Sequence, residues 1–292
     1  MNQITVFLSK AVSFLTTLIL VITATVTSPL QNPPITPQEP GTVRVLTFNV
    51  RCTNVGVHFQ KDRVGAVVGA IEAIAPDSFG VQEATPEWME SLKANLPDYE
   101  SVGVGRRDGE GEGEFSAIFY LKDKYEAPDS GTFWLSNTPD VPSRSWTSML
   151  NRVCTWVELK DRTTGVRFLH INTHFDTSFT PRKNSIPLIL EKAAQYDIPV
   201  ICTGDFNTME LSPLYTELLS GVLTNAKFDA PDTMSILTFN NQRSTKRVGR
   251  VLDHILVNSK VEAKVYRVVT DHFDGMLPSD HYPIYADVVL HS

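Results

Sequence analysis

From about position 42 onward, short apolar runs recur between polar breaks. "VRVLTFNV", "SFGVQEA", "FSAIFYL", "VCTWVEL", "VRFLHINTHF", "IPVICTGDF", "RVLDHILV", "AKVYRVV" and "YPIYADVVL" are rich in Val, Ile, Phe and Thr. That composition suits strands with one or both faces buried. Between some of them the spacing changes. Val64, Val67, Val68, Ile71 and Ile74 repeat at helical intervals behind Asp62. Thr85–Pro86 and Ser212–Pro213 each supply a cap followed by a first-turn proline, and Gly221 stops the second of these helices. A further helix over "LILEKAAQY" is expected to begin near Ser185, because Pro187 is tolerated in a first turn and not in a helix interior. Many strands, some in direct succession, with fewer helices, point to an α/β (α+β) domain of packed sheets with helices outside.

The first 41 residues do not share this pattern. The run "AVSFLTTLILVITATV", Ala11 to Val26, follows Lys10 and precedes small residues, so residues 1–28 read as an export signal peptide, with an uncleaved anchor as the alternative. Residues 29–41 are Pro-rich and aperiodic and read as a linker, leaving 42–292 as the folded domain. A secreted or extracytoplasmic location follows from that reading. The formal net charge of −7 over 292 residues disfavours a surface built to grip polyanions, so nucleic acid is a disfavoured partner. A monomer is expected. Cys52, Cys154 and Cys202 match no zinc spacing and sit in apolar, strand-like runs, where buried thiols are expected; one disulfide among them is left open.

Polar residues gather where the strands end. Asn49 and Glu83 close two runs, and His170, Asn172, His174 and Asp176 share one face of a third by their period of two. "TGDFN" carries Asp205 and Asn207, "RVLDHILV" carries Asp253, and "PSDHYPI" carries Asp280 and His281. A buried carboxylate costs several kcal/mol unless it is paired or bound to a cation. So many at strand ends suggest a site at one edge of the sheets.

In order, "TFNVR", "GVQEA", "GEFSAIFY", "NTHFD", "TGDFN", "VLDHILV" and "SDHYPIYADV" resemble the motifs of the endonuclease/exonuclease/phosphatase superfamily, the deoxyribonuclease-I-like fold. The resemblance implies a four-layered sandwich, two packed and mainly antiparallel sheets flanked by helices. It implies a phosphoester substrate and a divalent metal, Mg²⁺ or Mn²⁺. It assigns Glu83 as principal metal carboxylate with Asn49 and Asp280 near the same ion. It makes His281 the catalytic histidine and Asp253 its orienting carboxylate, Asp205 the group that aligns or deprotonates water, and Asn207 a holder of a phosphate oxygen. It puts His174 on the leaving-group side with Glu114 as its partner, and has Arg106 or Arg107 reach the phosphate. The repeated Gly-Glu register of "GRRDGEGEGEF" makes Glu112 a substitute for Glu114.

Two departures stand out. Thr177 follows Asp176 where some relatives carry a second histidine, and His254 stands where a tyrosine often follows the Asp; by the strand period His254 should face away from the site. The arginine and cysteine motifs of inositol polyphosphate phosphatases are missing. A metal-dependent phosphodiesterase or phosphatase acting by in-line water attack is therefore expected. A secreted nuclease and a sphingomyelinase-like lipid phosphodiesterase are the alternatives, and a non-catalytic binding module the reading from another class.

Overall fold

The computed structural model describes residues 34–53, 58–234, 236–241 and 250–291. Residues 1–33, which hold the segment read as an export signal and the first part of the expected linker, lie outside the described residues. In chain order the elements are β1 (Val43–Asn49), α1 (Gln60–Ile74), β2 (Ser78–Gln82), α2 (Pro86–Asn95), β3 (Tyr99–Val102) and β4 (Ile118–Leu121). Then come β5 (Tyr125–Trp134), β6 (Val153–Asp161), β7 (Arg167–His174), α3 (Phe179–Ala194), β8 (Val200–Asp205) and α4 (Pro213–Leu218). The chain ends with β9 (Thr224–Asn225), α5 (Ala226–Asp229), β10 (Asp232–Thr233), β11 (Asp253–Val257), β12 (Val261–Val268) and β13 (Ile284–Leu290).

Two sheets result, ordered β10-β12-β13-β1-β2-β4-β3 and β5-β6-β7-β8-β11-β9. Both are mixed. β1–β2, β10–β12 and β7–β8 pair in parallel, and the remaining neighbours are antiparallel. Each strand's alternation divides its residues between two buried faces. In β1, Val45 points into the space between the sheets, while Leu46 and Phe48 meet Val67, Ile71 and Ile74 of α1 and Trp88 of α2. On the far side, Leu169, Ile171, Val200 and Cys202 pack on Ile186 and Ile189 of α3 and Leu214 and Leu218 of α4. Helix, sheet, sheet and helix thus form four layers with an apolar seam at each junction. Burial on both faces explains why the strands read as near-continuous apolar runs.

One close approach fixes the distance between the sheets. A Cβ at Gly80 would overlap Asn172 Oδ1 and Thr203 Oγ1 of the opposite sheet. Asn172 Nδ2 donates to Val81 O (2.9 Å) and Ala117 O (3.0 Å), and Asn172 Oδ1 accepts from Gln82 Nε2 (2.7 Å). Beside it, His170 is fully buried, bonded to Ser78 Oγ (2.7 Å) and Thr203 Oγ1 (2.9 Å).

Three expectations are corrected. α3 starts at Phe179 rather than near Ser185 and carries Pro187 in its interior. A mid-helix proline costs about 3 kcal/mol. Burial of Ile186 and Ile189 beside it, each worth about 1.5–3 kcal/mol, outweighs that cost. Residues 35–41, read as the end of a linker, pack on the domain: Thr36 N–H donates to Tyr285 OH (3.1 Å) and Gln38 Nε2 to Asp77 Oδ2 (2.7 Å). All three cysteines are free thiols; Cys154 and Cys202 are buried in strands, whereas Cys52 lies in the loop after β1. Among the described residues no helix is long and apolar enough to cross a membrane.

Candidate active site

The register of three neighbouring strands sets the site. His174 at the end of β7 pairs with Asp205 at the end of β8, and Asp205 pairs with Asp253 at the start of β11. One row at the sheet's edge therefore carries an imidazole and two carboxylates. The other sheet supplies Asn49 at the end of β1 and Glu83 just past β2, and the loop before β13 brings Asp280 and His281. The backbone is left-handed at Arg51 (φ 60°), Glu83 (φ 57°) and Asn207 (φ 47°). Non-glycine residues hold that conformation only where their surroundings impose it, at a cost of about 1–3 kcal/mol each.

His281 Nδ1 donates to Asp253 at 2.8 Å, and its Nε2 points toward Asp205 at 3.8 Å. Burial opposes charge on the ring, but the Asp253 and Asp205 carboxylates outweigh it and raise the pKa, so His281 rests as an imidazolium. Asp253 is in turn held by Thr238 Oγ1 at 2.6 Å. Burial raises the pKa of Asp205, and repulsion from Asp253 raises it further, while His281 opposes the rise. Asp205 therefore holds its proton more tightly than an ordinary carboxylate, as suits a base for water. Asn207 donates its backbone N–H to Asp205 Oδ1 (2.9 Å) and its Nδ2 to Phe175 O (3.0 Å).

Glu83 accepts from the Cys52 amide (2.9 Å) and from Asn49 Nδ2 (3.2 Å). Burial works against its ionisation, but those bonds keep its pKa below the ordinary value. The guanidinium of Arg51 lies 3.9 Å from Glu83 and 3.7 Å from Asp280, so both carboxylates converge on one cationic group. An oxygen-only pair of this kind fits a hard divalent ion. Asn49 presents Nδ2 to Glu83 and to Asp205 (3.0 Å), and its Oδ1 accepts from Arg51 N–H (3.0 Å). It serves here as a bridge between carboxylates. Asp205, Asp253 and His281 form a second group whose ligand atoms lie within 4.8 Å of one another.

The sequence profile of the endonuclease/exonuclease/phosphatase family matches residues 46–281. The chain belongs to this family. A mannosyl-6-phosphatase of Bacteroides thetaiotaomicron is 34% identical, with 85% of this chain and 100% of that chain covered and a TM-score of 0.81. A family protein of Bacteroides vulgatus is also 34% identical, covering 86% of this chain and 99% of that chain, with a TM-score of 0.81. An uncharacterized protein of Acanthamoeba polyphaga mimivirus is 26% identical over 251 residues, 78% of this chain and 91% of its own. The protein is thus a phosphoester hydrolase by family, of a kind that generally uses a divalent metal.

Within this family site, three expected residues sit differently. Glu114 bonds Arg106 through both guanidinium ends (2.8 and 2.9 Å), not His174. His174 instead meets Asn207 Nδ2 at 3.2 Å through Nε2, and its Nδ1 has no partner among the described residues. Burial, reinforced by Arg152 and Arg106, drives its pKa far down, so it is a neutral hydrogen-bonding group rather than a cationic acid. Arg107 is a surface residue paired with Glu112 at 3.6 Å, so Glu112 does not replace Glu114. Asp176 caps the loop after β7, accepting from Ser148 Oγ (2.6 Å) and Ser178 N–H (2.7 Å). His254 faces the other way, as its period requires: it is fully buried, with Nε2 on Thr208 O (2.9 Å) and its ring against Tyr215.

Two residues were missed. Arg152 precedes β6, is buried, and shares a tight gap with Glu83, Arg106, Glu114 and His174. Its Nε and Nη1 have no partner among the described residues. Thr238 lies in a loop and shows no pattern in the sequence. Beside the gap runs a groove of ≈ 530 Å³ lined by Cys52, Arg106, Arg107, Glu114, Arg144 and Asn151, among others.

Proposed function

We propose that the protein is an exported, Mg²⁺- or Mn²⁺-dependent phosphatase of phosphorylated sugars. The observation that carries the chemistry is the row His174–Asp205–Asp253 facing Glu83, Asp280 and His281. Asp205 takes the proton of the attacking water. His281, kept cationic by Asp253, binds an oxygen of the phosphoryl group as charge builds there. Asn207 and Arg152, whose Nε and Nη1 have no partner among the described residues, hold the remaining oxygens, and neutral His174 hydrogen-bonds the leaving oxygen. Glu83 and Asp280 would hold the divalent ion, which when bound would supply Lewis acidity toward the phosphoryl group.

The substrate class rests on the mannosyl-6-phosphatase likeness and on the groove, whose arginines suit a hydroxyl-rich, short leaving group. The acidic total weighs against a nuclease. The test is a panel of mannose 6-phosphate, an alkyl mannoside 6-phosphate, bis(p-nitrophenyl) phosphate and single-stranded DNA, assayed with Mg²⁺ and with EDTA. Turnover of the sugar monoesters, abolished by EDTA and restored by Mg²⁺ or Mn²⁺, is expected. Preference for DNA, or full activity after chelation, would overturn the reading. Export is tested on protein from the native host, where the mature N-terminus should lie near residue 28.

A further inference from the structure

α1 carries a charge that its surroundings do not obviously require. Arg63 is 0% exposed, and among the described residues no carboxylate lies within ion-pair distance. Instead its guanidinium donates to four backbone carbonyls. Nη1 reaches Val50 O (2.8 Å) and Pro278 O (2.7 Å), and Nη2 reaches Arg51 O (2.9 Å) and Thr53 O (2.8 Å). Its flat face lies 5.2 Å from the Trp88 ring, and Trp88 Nε1 donates to the same Arg51 carbonyl (2.9 Å). Burying an unpaired charge costs several kcal/mol. Burial also lowers its pKa, to about 10, which still leaves it charged at neutral pH.

The four carbonyls belong to two segments far apart in sequence. Val50, Arg51 and Thr53 form the loop that follows Asn49 and supplies the Cys52 amide to Glu83. Pro278 stands two residues before Asp280. A second hydrogen-bonded tie between these loops, Ser279 Oγ donating to Asn49 O at 2.7 Å, stands beside the ion pair of Arg51 with Asp280 at 3.7 Å. We infer that Arg63 is a positioning residue: by gripping both loops it sets the separation of Glu83 and Asp280, so that the cation site is formed before the ion arrives. A planar fork can serve four acceptors at fixed angles, which a lysine ammonium with three donors from one atom cannot. The inference rests on the assignment of the metal to Glu83 and Asp280.

The test is Mn²⁺ binding to the full chain by titration calorimetry, with thermal unfolding alongside. Supporting groups behind metal ligands typically alter affinity by 10–100-fold. Arg63→Lys should raise the Kd for Mn²⁺ about tenfold, with kcat recovering at saturating Mn²⁺. Arg44→Lys, at a buried arginine remote from these loops, should lower the unfolding midpoint but leave the Kd unchanged. Should Arg63→Lys not fold, Ser279→Ala removes the second tie and should weaken Mn²⁺ binding severalfold in the same direction. Wild-type affinity in both Arg63→Lys and Ser279→Ala overturns the inference. A wild-type chain that takes up no Mn²⁺ overturns the metal assignment and the inference with it.

Discussion

A buried arginine stands near each end of β1, and the two are served in opposite ways. At the entry end, Arg44 meets Asp287 through two bonds (2.6 and 2.7 Å), donates to Ile74 O and Thr36 O, and lies over the Tyr285 ring. Burial opposes its charge, yet the Asp287 pair keeps its pKa above the ordinary value. At the other end Arg63 bonds backbone carbonyls and lies over Trp88, with no carboxylate in ion-pair range among the described residues, and left-handed backbone recurs at Arg51, Glu83 and Asn207. One end matches each charge with its complement. The other holds Arg63 without a counter-charge among the described residues and concentrates backbone strain, an arrangement that persists only where function requires it.

Substitutions at the two ends should therefore separate activity from stability. His281→Ala and Asp253→Ala should each lower kcat by about 10²–10⁴-fold, and the double variant should be little worse than the worse single, since the two side chains act as one unit. Their unfolding midpoints should stay near wild type. Multiplicative losses in the double variant would separate the pair. At the entry end, Asp287→Asn leaves Arg44 buried without its counter-charge and should cost about 3–5 kcal/mol in denaturant unfolding. The kcat of its folded fraction should not change; a loss there would mean that the ends are coupled.

A smaller effect probes the layer between the ends. Burial lowers the His170 pKa from 6.5 to about 3. The unfolded chain thus binds a proton below pH 6.5 that the folded chain refuses. Stability falls as pH drops through that window, by about 1.4 kcal/mol per unit for this residue once well inside it. Unfolding at pH 7, 6 and 5 should show a shallower acid decline in His170→Gln than in wild type. Equal slopes would mean that His170 takes up its proton without unfolding.

The residues legible in the sequence are those whose chemistry conflicts with their setting. Asn49, Glu83, Asp205, Asp253, Asp280 and His281 are polar ends on apolar strands, and a strand's period fixes where they point. The four layers follow from the same runs, since strands buried on both faces need a partner on each. Glu114 was assigned to the wrong partner because its contact depends on how a glycine-rich loop folds back on Arg106. Arg152 and Arg63 look like ordinary surface charges: one stands at a strand's start and the other among helical positions, where arginine is common. Local rules also misplaced the start of α3, because the burial that tolerates Pro187 comes from residues distant in sequence.

The contact at Gly80 bears on how such a protein can vary. Its candidate catalytic groups come from two separate sheets, and apolar packing alone would let their spacing follow the size of whatever side chains fill the seam. Here backbone meets Asn172 and Thr203 with no room for a methyl group, and Asn172 bonds across to Val81 and Ala117. The contact acts as a spacer. Val, Ile and Leu could be exchanged through the seam while this contact holds the gap between the sheets. Gly80→Ala would push against Asn172 and Thr203 and so displace the candidate site residues of one sheet from those of the other.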